Sequence, residues 1–537
     1  MKAGNFFTRA IVDTAQKITA SWGWNSGSTS SSSGGSWDGS KMRGSLRSMY
    51  ASGADLDFEA LRARSRAAYW DSTQARALLT RLVDNVIGTG LTLEASPLWE
   101  LNGSPLSEEA KRLWSRDVEQ RFFAWASSHE SDSTGRRNLA ELQNFIFANE
   151  LRDGESVIIL RYSGDTSRVS PLTLQVLDPD QIDTLVNIHG TPDRVGLAVA
   201  IQSRGNVFKD GIEFTPQGEP VALFLYDATT RKTTRVPFSG PSGRRFIIMP
   251  AILDLPGQVR GVGPLAAVIH EIQKLTDYTL FEIESALVNA IIAAYIVPNA
   301  ENDTRTNLQS AIGGGVTTRG SGIGAPANDT GDKVKVREAG LFIGNLKKGE
   351  DIKSFDTKRP NVNFEGFVSA ITKSISASLS IPVEVLEMKF GASYSASRAG
   401  LIMFWQTVDR WRVHFNSQFL QLVYESWFAE EIRASRISAP GFDSSPLIKR
   451  AWLSCSWIGD SMPTLDPTKD AAADQLRIDM GATTRERVAM EYNGSDFYDN
   501  ARRLKIEKEA LPPVDLPGSQ FQQPQKKETD TEDGETA

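Results

Sequence analysis

The sequence predicts an α+β protein, and three observations carry that reading. One is a long helical stretch from about Ser395 to Ala434, whose Leu401, Phe404, Trp405, Val408, Trp411, Phe415, Phe419, Leu422, Val423, Trp427 and Phe428 share one broad apolar face. The second is a change of period after Asp153-Gly154, where helical spacing gives way to short β-branched and aromatic runs. The third is a helix, a small β module and a returning helix between residues 264 and 380. No proline interrupts the long stretch. At 1.5 Å per residue, ~38 residues make a rod of about 57 Å, far longer than the usual helix of a compact enzyme.

Composition sets bounds on function. With 537 residues, 40% of them hydrophobic, the chain has enough apolar surface for several real cores. A net charge of −7 argues against a general basic surface for nucleic acid, because that affinity comes from neutralising phosphates with Lys and Arg. Any DNA contact is therefore expected to be local or weak. Cys455 is the only cysteine, which excludes an intramolecular disulfide and a thiolate zinc cluster. The amino-terminal MKAGNFFTRAIVDTAQKITASWGWN lacks the apolar run of a secretory signal, so no export is expected. The most apolar stretch, Ala286 to Val297, contains Asn289 and falls short of the ~20 residues a membrane span needs, so a soluble chain is expected.

In order, residues 1–54 read as a short amphipathic segment and a flexible Ser/Gly-rich tether, with Trp22, Trp24 and Trp37 as docking points or simply part of a frayed terminus. A helix is expected over 57–87, ending at Gly88 and Gly90; Arg62, Arg64, Arg66, Arg76 and Arg81 on it are read as a solvated basic face. A helix capped near Ser107 carries Leu113, Trp114, Val118 and Phe122 as its apolar stripe, and another opens at Asn138 with Glu141 in capping-box spacing. Strands are expected at 156–162, 172–177, 196–201, 221–226 and near 245–251, forming one small mixed or antiparallel sheet.

Gly263-Pro264 opens a long helix, residues 298–360 read as short strands and turns, and 364–379 as a returning helix. The segment 382–395 reads as a Gly/Ser/Ala-rich loop. Beyond the long helix, 451–457 is expected as a strand, 467–480 and 484–491 as helices, and 511–537 as a disordered acidic tail.

Several stretches, in order, resemble one family: LRARSRAAYW with LVDNVIGTGLTL, LRDGESVIIL, QVLDPDQID, GIEFTPQGEPVALFLYD, PGQVRGVGPLAAVIHEIQKLTDY, LKKGEDIKSFDTKRPNVNFEGF and SLSIPVEVLEMKFGASYSASRAGLIMFWQTVDRWR. Over roughly residues 55–500 the chain is similar to the lambda-type portal proteins of tailed bacteriophages. The resemblance implies a homo-oligomeric ring of about twelve copies at one capsid vertex, closed by rotation, through which double-stranded DNA is packaged and ejected. It implies a wing (55–261 plus the spoke helix 396–434), a stem (262–297 and 361–381), a clip (298–360), a tunnel loop (382–395) and a crown (435–510). The implied partners are DNA, a terminase, capsid and scaffold proteins and a head-tail adaptor; no membrane and no cofactor is implied, and the implied location is the virion's portal vertex, with assembly in the host cytoplasm.

A conduit must not hold its cargo, and about twelve copies of −7 sum to about −84, a field that discourages sticking to DNA. Lys389, with Tyr394 and Arg398, is the candidate DNA-facing set of the tunnel loop, where the alternative for Lys389 is an ordinary solvated lysine. Glu271, Glu282 and Glu284 are candidates for the stem's channel wall, or else charges facing solvent. Lys333, Lys335, Lys347, Lys348 and Lys353 are candidates for docking partners at the clip, or else a solvated β surface. Asp178, Asp180 and Asp183 form the one tight carboxylate cluster, which a two-metal nuclease would need but which also suits a turn after a strand. The four histidines lack ligand spacing and no G-x-x-x-x-G-K-[ST] occurs, so the sequence reads as neither a metal centre nor an ATP-driven motor. A third reading is a capsid or connector protein without DNA contact.

Overall fold

The computed structural model describes residues 58–103, 106–165, 167–184, 205–291, 294–298, 350–354, 364–389, 394–462, 467–493 and 497–510. The amino-terminal segment, the strand expected at 196–201 and the acidic tail lie outside the described residues. The chain begins with α1 (Phe58–Asp71), α2 (Thr73–Val86), β1 (Thr92–Ala95), the short α3 (Trp99–Asn102), α4 (Glu108–Ser127) and α5 (Leu139–Asp153). Strands follow: β2 (Val157–Tyr162), β3 (Leu172–Leu177), β4 (Val207–Lys209), β5 (Ile212–Phe214), β6 (Pro220–Asp227), β7 (Lys232–Pro237) and β8 (Ile247–Ile248). Next come α6 (Ile269–Ile291), β9 (Ala294–Pro298), β10 (Glu350–Ser354), α7 (Phe364–Ser378) and α8 (Val383–Glu387). Then α9 (Tyr394–Phe415), a π-helical turn (Asn416–Leu420) and α10 (Gln421–Arg433) run end to end. The chain closes with α11 (Pro446–Trp452), β11 (Cys455–Ile458), α12 (Pro467–Asp479), α13 (Arg485–Asn493) and α14 (Phe497–Ala510).

Local chemistry sets many of these boundaries. Asn138 Oδ1 accepts from Glu141 N at 2.9 Å while Glu141 Oε2 accepts from Asn138 N at 3.0 Å, the reciprocal box expected there. Ser107 Oγ accepts from Ala110 N at 3.3 Å and caps α4. Gly88 and Gly90, with φ of 57° and 109°, end α2 in a backbone conformation that side chains resist. The expected helix over 57–87 is two helices, because the buried Ser72 leaves the first and caps the second: its Oγ accepts from Ala75 N at 3.4 Å.

The described residues form two compact units, one drawn from Met1–Arg81, Glu150–Glu155 and Ala251–Ala392, the other from Leu82–Asn149, Ser156–Pro250 and Ser393–Ala537. In the second unit, the expected single sheet is in fact two antiparallel sheets, β3-β2-β8 and β4-β5-β6-β7. Ile158 sits opposite Val176 on one side and Ile248 on the other, so β2 is the buried centre of its sheet. A further antiparallel pair joins β1 to β11, Leu93 facing Trp457. The expected strand at 451–457 starts late, because Ala451 and Trp452 finish α11.

The long helix supplies the core of this unit. Phe415, Phe419, Val423, Tyr424, Trp427 and Phe428 are fully buried, and Trp427 meets Phe122 of α4 edge to face at 5.1 Å. Trp125 donates its Nε1–H to Leu172 O at 3.0 Å and the half-buried Trp114 donates to Ser438 O at 2.9 Å, whereas the buried Nε1 of Trp427 has no hydrogen-bond partner. Leu113, expected in the stripe of α4, is 53% exposed, and Trp125 lies inside in its place. Arg412 donates to Val86 O and Asp460 O, both at 2.9 Å, closing the carbonyl end of α2. Burial lowers its guanidinium pKa.

The helix is not α throughout. Phe415, Phe419, Val423 and Trp427 recur every four residues, and over those three intervals an unbroken α-helix overshoots its own face by about 120°. A π-turn absorbs about one extra residue, roughly 100°, which returns Trp427 to the face that holds Phe415.

Deleting Ser417 turns this segment to α and leaves eleven steps from Phe415 to Trp427, about 1,100°, so the 419–433 half keeps its face. The cooperative thermal transition is expected to survive that deletion, whereas deleting Gln418 as well swings the 419–433 half by about 100° and costs more than about 4 kcal/mol; loss of the transition in the single deletion would contradict the register role. Cys455 donates its thiol to Gln421 Oε1 at 3.1 Å, and burial pushes its pKa up to about 12. At pH 8 it remains a thiol, so a maleimide reagent is expected to label it only after denaturation.

Candidate functional site

In the first unit the chain runs out along α6, through β9, back through β10 and in along α7. β9 and β10 pair antiparallel from Ala294↔Ser354 to Pro298↔Glu350. Val268, Ile272 and Leu275 are buried along the near half of α6, and Thr372, Ile375 and Ser376 along α7. Tyr278 stacks on Phe364 at 5.6 Å and tilts against Phe367 at 4.6 Å, tying the outgoing helix to the returning one. Beyond this tie, Leu280, Phe281 and Ile283 are exposed.

The root of this helix pair is a buried charge cluster. Glu155, fully buried, accepts from Arg260 Nε at 2.8 and 3.0 Å through its two oxygens. It also accepts from Gly261 N at 2.9 Å, and Arg62 Nη1 of α1 reaches it at 3.4 Å. Beside it Asp153 takes a two-pronged pair from Arg66, at 2.9 and 3.0 Å, and another from Arg152, at 3.0 and 2.7 Å. The donors around each desolvated carboxylate oxygen offset the cost of burying it.

Glycines make the approach possible. Gly154 has φ +90°, and a Cβ there would lie 2.5 Å from Gly261 C. A Cβ on Gly261 would lie 1.9 Å from Gly154 O, and one on Gly263 would lie 2.7 Å from Leu151 O. The turn ahead of α6 therefore packs backbone on backbone, with Ile252 N donating to Gly154 O at 2.9 Å.

LRDGESVIIL and PGQVRGVGPL carry the family resemblance but show no local sign of this role, and the pattern of α1 predicts Arg62 and Arg66 as solvated. Arg62 is buried and Arg66 is bound to Asp153, so that reading is corrected for both. The available signal was the pair of Gly-flanked charges, Asp153-Gly154-Glu155 and Arg260-Gly261, on stretches far apart in sequence.

The expected site residues are distributed as follows. Glu271 is half-buried, with Oε2 shielded and lacking a hydrogen-bond partner; Glu282 is half-buried and Glu284 exposed. Burial raises the pKa of Asp277, between them on α6. The segment 382–395 is not an open loop throughout, since α8 occupies 383–387 and buries Val385 and Leu386. Lys389 is exposed, just after Met388, whose φ of 55° ends α8, and its N donates to Glu384 O at 3.1 Å. Tyr394 begins α9. Arg398, expected as an isolated cation, is instead ion-paired with Asp470 at 3.0 Å. Lys353 lies on β10 opposite Tyr295, while Lys333, Lys335, Lys347 and Lys348 lie outside the described residues.

Asp178 Oδ1 accepts from Asp180 N at 2.9 Å and caps a single 3-10 turn, while Asp183 is buried and accepts from Thr233 Oγ1. Turn chemistry accounts for these carboxylates, and among the described residues no group of three His, Cys, Asp or Glu side chains is placed to hold a metal ion. No helix among them is long and apolar enough to cross a membrane.

A family profile described as "Phage portal protein, lambda family" matches residues 39–412. The chain is 23% identical over 432 residues to the portal protein of Escherichia phage N15, covering 78% of this chain and 77% of that one. It is 22% identical over 427 residues to portal protein B of Escherichia phage lambda, with the same shares covered. Among solved structures it is similar to a chain from the neck of an empty GTA particle, with TM-score 0.44, 12% identity, and 80% and 93% of the two chains covered. A chain from the virion of a native gene transfer agent particle gives TM-score 0.33, 14% identity, and 78% and 94% covered.

Glu155→Gln keeps the shape and removes the charge that holds Arg260 and Arg62. Breaking a buried pair from one side costs about 3–5 kcal/mol, expected as a lower denaturation midpoint in urea at unchanged slope. A loss under about 1 kcal/mol would contradict the role given to the cluster.

Proposed function

The chain belongs to the lambda family of phage portal proteins, and from that premise we propose that about twelve copies close into a ring at one capsid vertex, through which duplex DNA is packaged and later ejected. The reading is of a channel protein and not an enzyme, located in the virion and assembled in the host cytoplasm. The observation that carries it is the helix pair α6–α7 with its β9–β10 continuation, rooted in a rigid charge cluster. Such a limb is suited to standing beside equivalent limbs around an axis.

In this reading the stem comprises 262–297 and 361–381, the clip 298–360, the tunnel segment 382–395, the spoke 396–434, the crown 435–510, and the wing 55–261 with the spoke. The clip docks the terminase during filling and the head-tail adaptor afterwards, and capsid and scaffold proteins surround the ring.

Weak interaction with cargo is the physical requirement. Each phosphate contact adds affinity that translocation must break again, and the net charge of −7 per chain keeps such contacts few. The exposed Lys389 supplies one cation per subunit at the tunnel segment, and the exposed Glu284 faces the channel on the stem. Isolated cations of this kind guide a duplex without trapping it.

The purified assembly is expected to have a native mass of about twelve times 58.9 kDa; a small oligomer under the same conditions counts against the ring. Lys389→Ala is expected to leave that mass unchanged and to alter DNA packaging or retention in assembled particles. Packaging at the wild-type level would remove Lys389 from the mechanism.

A further inference from the structure

The start of the long helix is held differently from the rest of it. From Phe404 onward α9 buries a residue nearly every turn, Phe404, Val408 and Phe415 among them, whereas none of the described side chains from 396 to 403 is buried. Ile402 and Met403 are exposed there, and Met403 is 71% so. Gly400 lies inside this stretch, and a Cβ on it would meet nothing within 4 Å. A glycine in a helix interior with no packing reason lowers local helix stability by about 1 kcal/mol relative to alanine.

The element on the other side of the ion pair is equally lightly held. α12 buries no residue, and Leu476 on it and Met480 just past its end are exposed. Asp470 and Asp474 lie one turn apart on α12; Asp474 accepts from Arg477 at 2.8 Å, and Asp470 accepts from Arg398 at 3.0 Å. At this ion pair the Arg398 side chain is 32% and the Asp470 side chain 18% exposed, so the interaction is partly shielded from water and salt.

We propose that the Arg398–Asp470 pair is a latch: it sets the order of residues 394–403 from the position of α12, so that displacing α12 loosens the first turns of the long helix. Apolar burial cannot do this work in that stretch, and Gly400 keeps the unlatched stretch close to melting. The direction of control runs both ways, because a shared contact biases both elements equally. The consequence for DNA passage rests on the portal reading; the latch itself does not.

Hydrogen-exchange mass spectrometry on the full-length assembly tests it. Arg398→Gln and Asp470→Asn are each expected to speed exchange of the 394–403 amides about 2- to 5-fold, the range a partly exposed ion pair supports. The 404–433 amides should stay at wild-type rates. The exchanged pair Arg398→Asp with Asp470→Arg is expected to restore slow exchange. Gly400→Ala is expected to slow exchange of the same amides by up to about 5-fold without touching the latch. Unchanged exchange in both single variants, or a swap that fails to restore it, overturns the latch. Failure of the ring reading would show instead in the mass of the assembly, leaving this result independent.

Discussion

A buried carboxylate enclosed by two guanidinium groups governs the first unit. Glu155 accepts from Arg260, from the backbone of Gly261 and from Arg62, all within a region closed to water. A pair like this adds little net stability compared with apolar packing, because desolvating the charges offsets much of their attraction. What it adds is directional: the carboxylate fixes the placement of the Gly261–Gly263 turn, from which a 3-10 turn, Pro264–Ala267, leads into α6. Glycines at 154, 261 and 263 remove the side chains that would hold the two backbones apart. The direction in which the helix pair leaves its root thus follows from a few polar atoms and three missing methyl groups.

In the second unit, apolar and aromatic surface carries the organisation. The long helix crosses from loosely held first turns, through a π-turn, into a segment whose aromatic residues are wholly enclosed. The π-turn is a consequence of side-chain spacing: four-residue steps from Phe415 to Trp427 fit one face only if an extra residue is absorbed. Burial is graded along this one element, from a polar tie at one end to dense packing at the other.

Much of this was legible from residue order. The Asn138–Glu141 box, the Ser107 cap, the Gly88 and Gly90 stops, β2, β3 and β6, and the helices at 269–291, 364–378, 467–479 and 485–493 all follow from local chemistry. Ser72 was harder, because a serine within a helical pattern reads equally as an interior residue or a cap. β4 and β5 are three residues each and β7 is polar, so none carries enough alternation to stand out, and α14 lacks a clear apolar stripe. The candidate site was less legible. Arg62 and Arg66 look like any solvated basic helix until Glu155 and Asp153, 93 and 87 residues away, are seen to meet them. Arg398 was equally opaque, since its partner Asp470 is 72 residues further on. Ion pairs between distant stretches have no period, and only the flanking glycines hint at them.

These parts meet in the proposed portal role: a helix pair rooted in a buried charge cluster, repeated around an axis, on an acidic chain that would hold DNA only weakly. Electron cryomicroscopy of the assembled protein at side-chain resolution tests this most directly. The account predicts a rotationally closed ring with an open centre wide enough for a duplex, the α6–α7 limbs arrayed about it and Arg260 still bound to Glu155. A solid centre, copies joined without closure, or limbs splayed away from the axis would contradict it.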